Sequence, residues 1–115
     1  MGNRAVVISR YEYDSALEYR DGWVPGMYIH WADREELDKW LQRMEREGYR
    51  SFSTDSSYAM ARLCQVACEE YIDGLNIGIL MVDVRKDPSH YGLDEGYWIV
   101  DGYQVVQTIE PHYHA

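Results

Sequence analysis

Apolar positions recur along this chain with two different periods, and each predicts a different kind of element. Ala5-Val6-Val7-Ile8, inside the stretch Arg4 to Arg10, is a short unbroken β-prone run that predicts a buried first strand. From Tyr11 to Val24 acidic and aromatic residues interleave without a clear period, and Asp21-Gly22 marks a turn, so this stretch reads as an extended loop or irregular hairpin. Pro25-Gly26 then punctuates the chain before Met27-Tyr28-Ile29-His30-Trp31, which predicts a second strand.

Leu37, Trp40, Leu41 and Met44 fall at helical spacing, with charged residues between them. Asp33 suits the N-cap, Glu36 completes a capping box, and Gly48 suits the stop. A second apolar stripe, Met60, Leu63, Cys64, Ala67, Cys68, Tyr71 and Ile72, predicts another helix from Tyr58 to Gly74. Leu75 to Val84 is dense in Ile and Val and reads as a central strand. Arg85 to Gly96 holds Pro88, Gly92 and Gly96 among charges and reads as a loop. Tyr97 to Val100, the turn Asp101-Gly102 and Tyr103 to Ile109 predict a hairpin with a type I′ turn. The expected fold class is α+β in a single domain over residues 1–115, of order ββααβββ. The expected architecture is an antiparallel sheet of about four to five strands with both helices packed on one face.

Composition narrows the partners. The chain carries 20 Asp+Glu against 11 Lys+Arg, for a net charge of −9, and residues 51–115 hold −7 of it. Direct nucleic-acid binding through a basic face is therefore disfavoured, and a basic protein or nucleoprotein complex is the natural partner. No window reaches the roughly 18 uninterrupted apolar residues of a membrane span. The first residues are too short an apolar run for a signal-peptide core, and Val6 stands where a myristoylation signal needs Ser or Thr, so a cytoplasmic location is expected. Two cysteines in such a chain stay reduced.

Candidate chemistry is sparse. Cys64 and Cys68, with His112 and His114, offer donors that zinc accepts, but their spacing matches no zinc motif and core packing explains the cysteines. No metal or other cofactor is expected. Tyr28 and His30 share one face of the second strand while Ile29 and Trp31 share the other. Arg62, alone among basic residues between Arg50 and Arg85, either holds an anion or pairs with Glu69 or Asp55. Together Tyr28, His30, Trp31 and Arg62 form a candidate pocket for a small nucleotide-like ligand. The adjacent carboxylates Glu69-Glu70 and Asp94-Glu95 suggest no acid/base pair, and no nucleophile elbow, phosphate loop or metalloprotease motif is present. A binding protein is expected rather than an enzyme, His30 being the residue through which an enzyme reading stays open.

Eleven tyrosines and four tryptophans against one phenylalanine favour contact surfaces, because tyrosine joins a large apolar area to a polar tip. The candidate partner surface is Tyr11, Glu12, Tyr13, Asp14, Glu18, Tyr19, Asp21 and Trp23, with Asp94, Glu95, Tyr97 and Trp98. Exposed aromatics and an unpaired sheet edge also allow a homodimer.

The strings Met1 to Val6, Gly26-Met27-Tyr28-Ile29-His30-Trp31, Ala61-Arg62-Leu63-Cys64-Gln65-Val66 and Glu95 to Val100 resemble a family of small uncharacterised proteins from prophages and integrative elements of Gram-positive bacteria. That family continues after its His-Trp pair with an Asn-Gly-Gly-Arg turn, where this chain has Ala32-Asp33-Arg34-Glu35. The resemblance implies a protein working in a bacterial host's cytosol by binding and blocking host machinery. An acidic one of this kind imitates the charge of nucleic acid, as an inhibitor of a CRISPR effector or similar defence system would.

Overall fold

The computed structural model describes residues 3–70 and 76–112. Five strands form one mixed sheet: β1 (Arg4–Ser9), β2 (Trp23–His30), β3 (Ile77–Asp83), β4 (Gly96–Asp101) and β5 (Gln104–Ile109). Three helices accompany it, α1 (Arg10–Tyr19), α2 (Arg34–Arg46) and α3 (Ser56–Glu70), with a 3-10 turn at Pro88–Tyr91. The sheet order is β3-β2-β1-β4-β5.

The α+β class holds, while three details depart from expectation. The sheet is mixed, because β1 runs parallel to β4, with Ala5 opposite Gly96 and Ser9 opposite Val100. The middle belongs to β1, whose Ala5 to Ile8 are fully buried. A run with no polar side needs cover on both faces, so helices lie on both. On one face α2 and α3 bury Leu37, Trp40, Leu41, Met44, Leu63 and Val66 against Val7, Met27, Ile29 and Trp98. On the other, Ala16 and Tyr13 of α1 and Tyr91 of the 3-10 turn pack with Val6, Ile8, Val24, Tyr97 and Ile99.

The second departure is α1, which replaces the loop expected after Tyr11 and turns the order ββααβββ into βαβααβββ. Ser9 caps it, its hydroxyl accepting from the Glu12 N–H at 3.1 Å. Two turns on, Arg20 pairs with the Glu12 carboxylate at 2.7 Å. The third is β3, read as a central strand and found at the sheet edge. Ile77 packs toward one core and Leu80 and Val82 toward the other, while Ile79 and Met81 are exposed, so its apolar run does not report strands on both sides.

The remaining differences are local. Strand β2 starts at Trp23 and stops at His30, where Trp31 takes φ +63° and leaves the ladder. Pro25 fits because the ladder between β1 and β2 ends at Val7 and Met27, and Gly26 fits because a Cβ there would come within 2.3 Å of Val6 Cγ1. Asp33 does cap α2, accepting at 2.9 Å from the N–H of Glu35, while Glu36 faces Lys39. Helix α3 starts at Ser56, and its expected stop at Gly74 lies outside the described residues. The β4–β5 loop is Gly102-Tyr103, one residue later than the Asp-Gly pair suggests, with positive φ only at Gly102. That is the pattern of a type II′ rather than a type I′ turn. Among the described residues no helix is long and apolar enough to cross a membrane.

Candidate functional site

The residues expected to meet a partner are spread over several parts of the fold. Tyr11, Asp14 and Glu18 follow at helical spacing along the outer side of α1, with Leu17 and Tyr19 beside them. Tyr11 is 66% and Tyr19 80% exposed, and among the described residues neither Asp14 nor Glu18 has an ion-pair partner. Asp21, in the turn after α1, stands 3.7 Å from Arg85. Glu12 turns inward to Arg20, and Tyr13 packs into the core. Trp23 is exposed on the opposite face of β2 from Val24, away from the α1 core.

The four later candidates do not join this surface. Asp94 and Glu95 clamp the start of β1: Arg4 N–H donates to Asp94 Oδ1 at 2.6 Å, and Glu95 N–H donates to the Arg4 carbonyl at 2.9 Å. Strand β1 then runs six residues, about 20 Å at strand rise, before α1 begins. Tyr97 and Trp98 are buried and cannot meet a partner, because β4 lies between β1 and β5 and sends them into opposite cores. The Tyr97 hydroxyl donates to the Lys86 carbonyl at 2.9 Å, and burial raises its pKa well above the ordinary tyrosine value. Trp98 Nε1 donates to the Glu95 carbonyl at 3.1 Å.

The four-residue pocket is likewise divided. Tyr28 and His30 lie on the α1 side of the sheet, ring centroids 6.4 Å apart, and the left-handed backbone at Trp31 brings its indole parallel to the His30 ring at 5.0 Å. Arg62 belongs to α3, on the other side. It pairs with neither Glu69 nor Asp55: its guanidinium donates to Gln65 Oε1 at 2.7 Å and to the Tyr58 hydroxyl at 3.3 Å, and lies over the Tyr58 and Tyr49 rings. Arg62 accordingly holds the Tyr58 hydroxyl below the usual tyrosine pKa. The expected carboxylates are engaged elsewhere, Asp55 with Arg50 at 3.4 Å and Glu69 with Arg43 at 2.6 Å. Glu70 and Glu47 complete the cluster on Arg43, which is a tie between α2 and α3.

The basic residue beside His30 is Arg4, its cross-strand neighbour. Its Nε is buried and has no hydrogen-bond partner among the described residues. An Arg ahead of a short apolar run belongs to no motif; only the strand register reveals that it meets His30.

Among the described residues no group of three His, Cys, Asp or Glu could hold a metal ion. Cys64 is half-buried, with its thiol pushed up to about 11 by burial, whereas Cys68 is exposed rather than part of the buried stripe. His112 lies with Nδ1 2.8 Å from Asp87 Oδ1, and His114 falls outside the described residues. Hydrogen bonds from Ser89 and His112 hold the Asp87 carboxyl well below the usual aspartate range.

No family model matches the chain, and no curated protein or solved structure matches it either.

Proposed function

We propose that the protein is an acidic binding module that occupies a basic protein surface through the outer side of α1. The observation that carries this reading is the pair of carboxylates, Asp14 and Glu18, with no ion-pair partner among the described residues, set between the exposed rings of Tyr11 and Tyr19. A helix needed only to cover the sheet has no use for four such residues on its far side. Aromatics with carboxylates between them supply contact area and charge together, and the net charge of −9 steers the whole molecule toward a basic groove. Nucleic-acid-handling complexes offer such grooves, so blocking a host defence complex by charge mimicry is the function this surface fits.

Native mass spectrometry of the untagged protein, taken gently from its host's cytosol before and after a salt wash, tests the reading. A stoichiometric basic partner is expected, lost at high salt and absent when Asp14→Lys and Glu18→Lys are combined. A partner retained by that variant, or indifferent to salt, overturns it.

A second reading rests on Arg4. A buried guanidinium nitrogen with no hydrogen-bond partner among the described residues, beside His30 and the Trp31 indole, suits a small anionic ligand carrying an aromatic ring, with Arg4 in the role sequence spacing gives to Arg62. Titration calorimetry with adenosine monophosphate tests it, heat being expected from the wild type and not from Arg4→Gln; no heat from either overturns it.

A further inference from the structure

Strand β3 has the side chains of an interior strand and the position of an edge one. Its backbone phase follows from three bonds. His30 N–H donates to the Asn76 carbonyl and Val84 N–H to the Gly22 carbonyl, so even-numbered positions face β2. Asp83 N–H instead donates outward, to the Tyr91 hydroxyl at 2.8 Å. Ile77, Ile79 and Met81 share the phase of Asp83 and point their N–H and C=O groups away from the sheet, where no described residue bonds them.

Among the described residues the usual protections of such an edge are missing. From Ile77 to Val82 there is no lysine, no proline and no break in register. The far edge differs: β5 carries Gln104, Gln107 and Thr108, faces a bulge at Ile99/Val100, and its Gln107 accepts from Arg10 at 3.1 Å. On β3 the residues with outward backbone groups also carry the exposed apolar side chains, Ile79 at 63% and Met81 at 52%. Beside them Pro25, Met60 and Ile79 line a groove of about 250 Å³.

We propose that the protein pairs with a second copy of itself, β3 against β3 in antiparallel fashion, about a two-fold axis at Ile79. Ile79 then faces its own copy and Ile77 faces Met81 across each side of the axis. Each of these three pairs exchanges two backbone bonds, and Asp83, already bonded to Tyr91, is left outside. The two five-stranded sheets become one continuous sheet. Charge selects a copy over a basic partner: residues 76–82 are uncharged, so a basic protein gains no attraction there, while two chains of net charge −9 can meet at this edge with no carboxylates opposed. An isologous contact of this kind closes on itself and does not propagate into a fibre.

Sedimentation equilibrium of the full chain over a concentration series tests the pairing. The mass is expected to rise from 13.6 kDa to twice that value. Ile79→Lys and Ile79→Glu, at a site exposed enough to leave the far-UV circular dichroism unchanged, should each weaken self-association at least tenfold. Mixing the two should restore it, because position 79 lies opposite itself. Val106→Lys on the β5 edge should associate like the wild type. Should either Ile79 variant misfold, Met81→Lys replaces it; facing Ile77 of the other copy, it should likewise weaken self-association at least tenfold, without the mixing test. A wild type that stays monomeric throughout overturns the proposal, as does an Ile79→Lys chain that associates normally, a mixture that fails to associate, or loss of association in Val106→Lys.

Discussion

The Tyr91 hydroxyl accepts the Asp83 backbone N–H at 2.8 Å, so a side chain from the 3-10 turn occupies the last outward-facing donor of the edge strand. Tyr91→Phe keeps the ring in its core and leaves that half-buried donor unsatisfied. A loss of about 1 kcal/mol in urea unfolding is expected. An unchanged midpoint would show that water replaces the hydroxyl without cost.

Gly96 opens β4 at φ +88°, and a Cβ there would lie 2.1 Å from the Ile109 carbonyl oxygen. Gly96→Ala is therefore both strained and overpacked, and a destabilisation of at least about 2 kcal/mol is expected by urea unfolding. Gly48, also at positive φ but with open space around it, should tolerate alanine better.

The two cysteines differ in reactivity although they stand one helical turn apart. Cys68 is exposed, while burial holds Cys64 protonated with a pKa of about 11. Brief iodoacetamide treatment at neutral pH should give one adduct, located at Cys68 by peptide mass spectrometry. Equal labelling at both positions would contradict the placement of Cys64 against the core.

Asp87 introduces a dependence on acid. Its carboxyl is held below the range of an unfolded aspartate by the Ser89 hydroxyl and by His112. The folded state therefore binds the proton less readily than the unfolded chain. The resulting stabilisation is full above the unfolded pKa of about 3.9 and is lost as pH falls from there toward the depressed folded value. Asp87→Asn should flatten the stability profile below that point; a wild-type slope in this variant would place the acid response elsewhere.

Local periodicity and caps make several elements readable directly. Leu37, Trp40, Leu41 and Met44 announce α2, and all four are buried. Two β-prone runs around a glycine-containing turn announce β4 and β5. Helix α1 hides because only Ala16 is fully buried and Tyr13 does the remaining packing, so no aliphatic stripe marks it. Ser9 and Glu12 do stand in the Ser-x-x-Glu spacing of a helix start, which is the available signal. The edge position of β3 is not readable, because its apolar run looks like that of an interior strand although Ile79 and Met81 are exposed. Arg62 and His30 look like partners only until the layers are known, since spacing along the chain does not say which side of the sheet a helix covers.

The parallel pairing of β1 with β4 also governs how the chain reaches this structure. Arg4 and Asp94 are 90 positions apart, yet they join where the two central strands begin. During synthesis β1 emerges well before its parallel neighbour β4, so the sheet cannot assemble around its middle until β4 is available. Loop closure on that scale comes before the contacts that reward it, which places the protein among slow, topology-limited folders rather than the fast helical ones. A chain released early would present β1 to its surroundings with one side of its ladder open.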